Sequence, residues 1–142
     1  MKEDINVLDE LNKGTCMGID AITLTLDKVK DPSLKKELEK QCKQYEKILN
    51  QIKEIYPEYS CKKPHTTSKM NKIMTAWGIN MNTMKDDSTS KIAEMMIQGV
   101  NTGIIEGKKL LNHKNTEKNV IVLIEEYVCM QEQAIESLKE YL

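Results

Sequence analysis

The chain has 142 residues, enough to bury about two thirds of the surface of its unfolded form without disulfides or metals. Hydrophobic residues make up 39% and charged residues 30%, and the mean hydropathy of -0.53 excludes both a disordered chain and a membrane-spanning one. Lysine and arginine number 21 and aspartate and glutamate 22, so the net charge of -1 excludes a broadly basic surface for nucleic acid or anionic lipid. The sequence therefore predicts one globular domain over residues 1–142.

The residue composition favours helices over strands. The chain has six glycines and three prolines, and its nine methionines outnumber its five tyrosines and one tryptophan, with no phenylalanine at all. Methionine is a good helix former, whereas aromatic residues are typical of strands. We therefore expect an all-α protein.

The first part of the chain predicts a helical hairpin, with helices over residues 4–29 and 33–56. Apolar side chains recur there at steps of three and four, as on one face of a helix. Asp31 is placed to cap the second helix, and Pro32 occupies its first turn, where no backbone N–H is needed. The inward positions are Leu8, Leu11, Thr15, Ile19, Ile22, Leu26 and Val29, followed by Leu34, Leu38, Cys42, Tyr45, Leu49 and Ile52. A connection this short requires antiparallel helices.

A second hairpin is predicted from helices over residues 88–113 and 117–142. Asp87 or Ser88 is the expected cap of the former, and Asn115 or Thr116 that of the latter. The inward positions are Ile92, Met96, Val100, Ile104 and Leu111, then Val120, Ile124, Tyr127, Gln131, Ala134 and Leu138. The glycines at four-residue spacing beside this stripe are Gly99, Gly103 and Gly107. They allow a neighbouring helix to approach closely.

Residues 57–87 connect the two hairpins and are numerous enough to travel the whole length of a bundle. An accessory helix is predicted over residues 67–84, where a stripe of methionine and tryptophan recurs at helical spacing. Its inward side chains are Met70, Met74, Trp77, Met81 and Met84. Two helical hairpins joined by one long crossover form the ferritin-like four-helix bundle, so this is the predicted fold.

The four cysteines predict reduced thiols in a cytoplasmic protein. Cys16, Cys42, Cys61 and Cys129 are widely separated, without the close spacing of a zinc or redox pair. Residues 1–13 mix charged and apolar side chains and lack the continuous apolar stretch of a secretory signal. Only Cys42 lies on an inward stripe, so packing as a small apolar side chain is favoured over a thiol site for copper(I).

Four stretches carry a resemblance to a known family: LNKGTCMGIDA, VKDPSLKKELEKQCKQYEKI, STSKIAEMMIQGVNTGII and QEQAIESLKEYL. They make the chain similar to a small bacterial family of ferritin-like proteins related to rubrerythrin-type bundles. The resemblance covers most of the chain, and its third stretch is the most specific. It implies a helical bundle that assembles as a homodimer. Relatives with an intact site would hold two iron ions in the interior of this bundle.

The resemblance also implies where the metal ligands of such relatives would lie. Those positions are held here by Thr15, Glu39, Cys42, Val100, Gln131 and Ala134. Only Glu39 keeps a carboxylate, although such a site takes about four carboxylates and two imidazoles. One carboxylate does not neutralise two divalent ions in an apolar interior. We therefore expect a degenerate site that holds no metal and no cofactor.

The remaining charged side chains predict solvated surfaces rather than sites. Lysines cluster in the crossover beside Glu58 and without stacking aromatic residues other than Tyr59, and glutamates follow the outer side of the last helix. The clusters are Lys62, Lys63, Lys69 and Lys72, and Glu125, Glu126, Glu132 and Glu136. The two histidines, His65 and His113, fall at heights different from that of the degenerate site. No set of nucleophile and base can be assembled from them.

The functional hypothesis is a non-enzymatic bundle that acts through its surface, in a structural or protein-interaction role. Two alternatives stay open. One is a metal-binding protein, with either a mononuclear site around Glu39 and Cys42 or a store of soft metal. The other is an oxidoreductase resembling rubrerythrin, with a remodelled site. A protein partner or a second copy is expected, and neither nucleic acid nor a membrane is.

Overall fold

The computed structural model describes residues 2–56, 68–112 and 116–142, with side chains described from residue 7 and again from residue 72. Within these ranges the chain forms five helices and no strand, which confirms the all-α prediction. The helices are α1 Lys2–Leu26, α2 Pro32–Ile55, α3 Ser68–Thr83, α4 Thr89–Leu111 and α5 Lys118–Lys139. None of the described helices is both long enough and apolar enough to span a membrane.

The helix starts follow the capping residues read from the sequence, with one exception. Asp31 caps α2 by accepting a hydrogen bond from the Ser33 backbone N–H at 2.9 Å, and Ser88 caps α4. The prediction for α5 is wrong for Thr116, whose buried hydroxyl has no hydrogen-bond partner. The carbonyl of Glu117 accepts the first helical bond of α5, so that helix begins after Glu117. Asn115 lies outside the described residues.

Four of the helices contact one another in a closed ring. α1 packs on α2, α2 on α5, α5 on α4, and α4 on α1, with a further contact between α1 and α5. α3 packs on α1 from outside this ring. Each of the four helices therefore has two neighbours against which it can bury an apolar stripe.

The core consists of apolar side chains that these four helices turn inward. Its most deeply buried members are Leu11 and Ile22 of α1, Leu34, Leu38 and Ile52 of α2, Ile92 of α4, and Ile124 and Leu138 of α5. Burying one such side chain stabilises the fold by about 2 kcal/mol. The predicted inward stripes of α1, α4 and α5 agree well with this core.

The accessory helix α3 is attached to the bundle through one face. Met81 is fully buried, Trp77 and Met84 are half-buried, and the Trp77 Nε1–H donates a hydrogen bond to Thr25 Oγ1 at 3.2 Å. The opposite face leaves Ile79 exposed. Met74 is half-buried as well, so the predicted stripe of the crossover is buried or half-buried from Met74 onward, whereas the side chain of Met70 lies outside the described residues.

Truncating a buried leucine tests the core against a matched exposed site. Leu38 is 0% exposed and Leu24 is 43% exposed. We expect Leu38→Ala to lower the free energy of unfolding by about 3 kcal/mol, since it loses transfer energy and leaves a cavity. Leu24→Ala should change it by less than about 1 kcal/mol, because that side chain is already hydrated. Urea denaturation followed by circular dichroism measures both, and equal losses would contradict this core.

Candidate functional site

Four of the six positions of the degenerate site lie in the interior. Thr15 is 0% exposed and Gln131 1%, and Val100 and Ala134 are buried as well. They come from α1, α4 and α5, the helices whose inward stripes were predicted correctly. The positions that the resemblance assigned to these three helices are therefore all buried.

The fourth helix of the ring departs from the prediction. Glu39 is exposed and Cys42 is only half-buried, with its Sγ–H pointing to Glu46 Oε1 at 3.8 Å. Gln41, at 1% exposed, occupies the inward position instead. The prediction of an inward Cys42 is wrong because the stripe of α2 steps three residues from Leu38 to Gln41, not four. Residue 42 is then turned about 100° from the position of residue 41.

A small polar network occupies the middle of the interior. The Tyr45 hydroxyl donates a hydrogen bond to Gln131 Oε1 at 3.1 Å, and Gln131 Nε2 donates to the Tyr127 carbonyl at 3.2 Å. The rings of Tyr45 and Tyr127 lie 6.3 Å apart at an angle of 58°. We call Tyr45, Tyr127 and Gln131 the tyrosine layer. It links α2 to α5 through neutral groups, each nearly inaccessible to solvent.

Four glycines make room for the tyrosine layer. A Cβ at Gly18 would lie 2.6 Å from the Tyr45 ring, and a Cβ at Gly103 would overlap the side-chain amide of Gln131. The other two are Gly14, which faces the Tyr127 hydroxyl, and Gly107, which faces Val128 and Tyr127. Close approach on α4 was predicted from its glycine spacing. The matching glycines on α1 were not identified, although their four-residue spacing was visible in the sequence.

Burial raises the pKa of both phenols of the tyrosine layer, that of Tyr127 to about 12, and the Gln131 side chain partly offsets the rise at Tyr127. Both phenols are protonated at neutral pH and act as hydrogen-bonding groups. In the part of the chain that the structure describes, no three His, Cys, Asp or Glu side chains cluster closely enough to hold a metal ion. His65 and His113 lie outside that part.

The thiols differ in their surroundings. Burial, followed by the nearby Asp20 carboxylate, raises the pKa of Cys16 to about 11. Burial and the Glu46 carboxylate raise the pKa of Cys42, and Cys129 is exposed on α5. Cys61 lies outside the described residues.

Sequence reasoning missed a basic surface on α2. Lys36, Lys40, Lys43 and Lys47 line a shallow groove of about 470 Å³ together with Glu39 and Gln44. We call these four lysines the lysine stripe. Their spacing of four, three and four residues was the available signal, because it places them along one side of a helix. The lysine cluster identified from the sequence was that of the crossover, where three lysines lie within eight residues.

Adding a methyl group at Gly18 tests how tightly the tyrosine layer is packed. We expect Gly18→Ala to destabilise the protein by about 1–3 kcal/mol, because the rigid Tyr45 ring blocks the new Cβ. Gly78 of α3 has no atom within 4 Å of its Cβ position, so Gly78→Ala should stabilise by up to about 1 kcal/mol. Thermal and urea unfolding provide both values. Two variants of equal stability would show that α1 does not approach Tyr45 closely.

The order of thiol reactivity tests the rotation of α1 and α2. A neutral thiol reacts slowly, so Cys16 should be alkylated more slowly than Cys42, and Cys129 fastest of the three. An inward Cys42, as predicted from the sequence, would instead have made Cys42 the slowest of the three. Brief labelling of the native protein at pH 8, followed by peptide mass spectrometry, measures it. If Cys42 were protected more strongly than Cys16, the inward position of Gln41 would be wrong.

Comparison with known proteins gives one result. Residues 3–113 match the model of a protein family described as Domain of unknown function (DUF2383), a stretch that covers nearly all of α1 to α4. No curated protein and no solved structure matches the chain. Because the matched stretch is well over half of the sequence, the chain belongs to the family of the domain of unknown function DUF2383.

Proposed function

We propose that this protein is a ferritin-like four-helix bundle that has lost its di-metal site and works, without catalysis, as a structural or protein-interaction module. The proposal has two parts. The first is the topology of the bundle, and the second is the replacement of the interior metal site by packed neutral side chains.

Support for the topology begins with the directions of α1, α2 and α5. Ser33 near the start of α2 shares a hydrogen bond with Tyr141 beyond the end of α5, and Tyr45, later in α2, bonds Gln131, which comes earlier in α5. Contacts that advance along one helix and go back along the other indicate that the two helices are antiparallel. α1 is antiparallel to α2 as well, since the turn between Leu26 and Pro32 is short.

The second hairpin is argued in the same way. Gly103 of α4 faces Gln131 of α5, and Gly107 faces Val128, so these two helices are also antiparallel. The Lys30 ammonium lies 3.1 Å from the Asp87 carboxylate, which joins the turn after α1 to the start of α4. α2 and α4 then begin at the same end and run parallel. Two hairpins joined by one long crossover are the ferritin-like arrangement.

The tyrosine layer is the observation that carries the functional part of the proposal. It lies in the interior and includes Gln131, one of the positions that the resemblance assigned to metal ligands. Two phenol rings packed against backbone fill this space. Neutral hydroxyl and amide groups offer no charge to offset that of a divalent cation taken out of water. An interior filled in this way suits a scaffold, and leaves the surface to make the contacts.

The metalloprotein alternatives have less support. Glu39 faces solvent on the outer side of α2. The Cys42 thiol points to Glu46, and its raised pKa favours the protonated form over the thiolate that binds metals. Of the two residues of the mononuclear alternative, Glu39 thus faces solvent and Cys42 lies at the edge of the core.

Thermal unfolding with and without metal tests the proposal. A ligand that binds only the folded state raises its stability by an amount set by the ratio of ligand concentration to Kd. We expect the protein as purified, after chelation, and with stoichiometric iron(II), manganese(II) or zinc(II) to melt at the same temperature. A rise of several degrees with one of these ions, absent in a sample carrying excess chelator, would contradict the loss of the site.

A further inference from the structure

Among the residues that the structure describes, the lysine stripe has no ion-pair partner. None of the ion pairs among the described residues involves Lys36, Lys40, Lys43 or Lys47. Glu39 is the single acidic residue of the groove that they line. Four ammonium groups on one side of a helix repel one another, so a negatively charged partner surface stabilises them.

The neighbouring helix α5 carries the opposite charge. Four glutamates on its outer side are exposed, Glu125, Glu126, Glu132 and Glu136, and so is Glu140 directly after its end. Of these, Glu136 pairs with Lys139 at 3.0 Å, whereas Glu126, Glu132 and Glu140 take part in no ion pair of the described residues. A basic helix and an acidic helix therefore lie side by side on one surface of the molecule.

The hydrogen bonds between α2 and α5 fix which charges share a height along the bundle. From the Ser33–Tyr141 contact, Lys36 lies three residues along α2, and Glu140 is one residue back along α5. The difference of two residues is about 3 Å at the rise of a helix. Lys36 and Glu140 are therefore level with each other.

The second contact, Tyr45 with Gln131, gives two more matches. Lys43 precedes Tyr45 by two residues and Glu132 follows Gln131 by one, a difference of about 1.5 Å. Counted from the same contact, the heights of Lys47 and Glu126 along the bundle differ by about 4.5 Å. Three lysines of α2 and three glutamates of α5 are thus arranged in the same order at nearly the same heights.

We propose that two copies of this chain pair through the α2 and α5 surface, about a twofold axis parallel to these helices. This rests on the proposed function, for which it names the partner and the contact surface. Such an axis places α2 of each copy opposite α5 of the other, and it leaves the height of every residue along the bundle unchanged. Lys36, Lys43 and Lys47 then face Glu140, Glu132 and Glu126 of the second copy, and the same pairs recur by symmetry.

The charges select this axis over the other way of pairing the same surfaces. A twofold axis perpendicular to the helices would place lysine stripe on lysine stripe, and like charges in contact are costly.

Two helices about 36 Å long and about 10 Å wide each offer about 700 Å² per copy. A standard interface buries about 800 Å² per partner. Because the pairs are exposed at their edges, salt screens the association strongly.

A charge-swap experiment on the full chain tests the pairing. Variant A is Lys43→Glu with Lys47→Glu, and variant B is Glu126→Lys with Glu132→Lys. Sedimentation velocity should find the wild type dimeric in dilute buffer. At about 0.5 M salt, where charges are screened within a few ångströms, the Kd of the dimer should be at least tenfold higher. Each variant alone should be monomeric, because its two surfaces then carry the same sign.

An equimolar mixture of A and B gives the sharpest result. The acidic α2 of A then faces the basic α5 of B, and the acidic α5 of A faces the basic α2 of B, so a heterodimer should form. A matched control, Lys108→Glu with Lys109→Glu on exposed positions of α4, should dimerise like the wild type. Circular dichroism of every variant confirms that each one is folded.

Other outcomes overturn the proposal. A wild type that stays monomeric in dilute buffer refutes it, and so does dimerisation that survives in A and B or a mixture that fails to associate. A monomeric wild type that binds a single-stranded oligonucleotide, with binding lost in A and kept in B, would make the partner a polyanion instead. Loss of the dimer leaves the metal result unchanged, so failure of this proposal and failure of the proposed function are distinguishable.

Discussion

Close packing of the tyrosine layer against four glycines is the constraint on which the middle of the molecule depends. The Tyr45 ring lies on the backbone of α1 at Gly18, and its hydroxyl reaches across to Gln131 of α5. Gln131 in turn lies on the backbone of α4 at Gly103. One side chain each from α2 and α5 thereby sets the separation of all four helices, since interiors tolerate little overlap and few voids.

The chemistry of that layer decides what the interior offers. Burying a phenol or an amide is acceptable when its hydrogen bonds are made, whereas buried carboxylates need a cation or a proton. Tyr45 and Gln131 satisfy each other, and the Gln131 amide also bonds the Tyr127 carbonyl. In the proposed function, such an interior needs no bound ion and the surface makes the functional contacts.

The surface is not uniform in charge, although the chain as a whole is nearly neutral. The outer side of α2 carries the lysine stripe and that of α5 carries exposed glutamates, and these two helices are neighbours in the ring. A nearly neutral protein with a basic surface beside an acidic one has a dipole directed across these helices. Such a distribution favours association in a defined orientation over non-specific binding to a polyanion.

Local patterns in the sequence determined the helices. Steps of three and four located all five, and Asp31 and Ser88 marked the starts of α2 and α4, because periodicity and capping depend on residues within one or two turns. The glycines of α4 likewise indicated close approach. The acidic outer side of α5 could also be read from spacing alone.

Only the tertiary structure decided how α2 is rotated about its own axis. From Leu38, a step of three to Gln41 and a step of four to Cys42 are both compatible with an inward stripe. The packing of Tyr45 on α1 and its bond to Gln131 select Gln41, which turns Cys42 to the side and Glu39 to solvent. The matching heights of lysines and glutamates on two helices are tertiary as well, because residues about 90 positions apart in the chain set them.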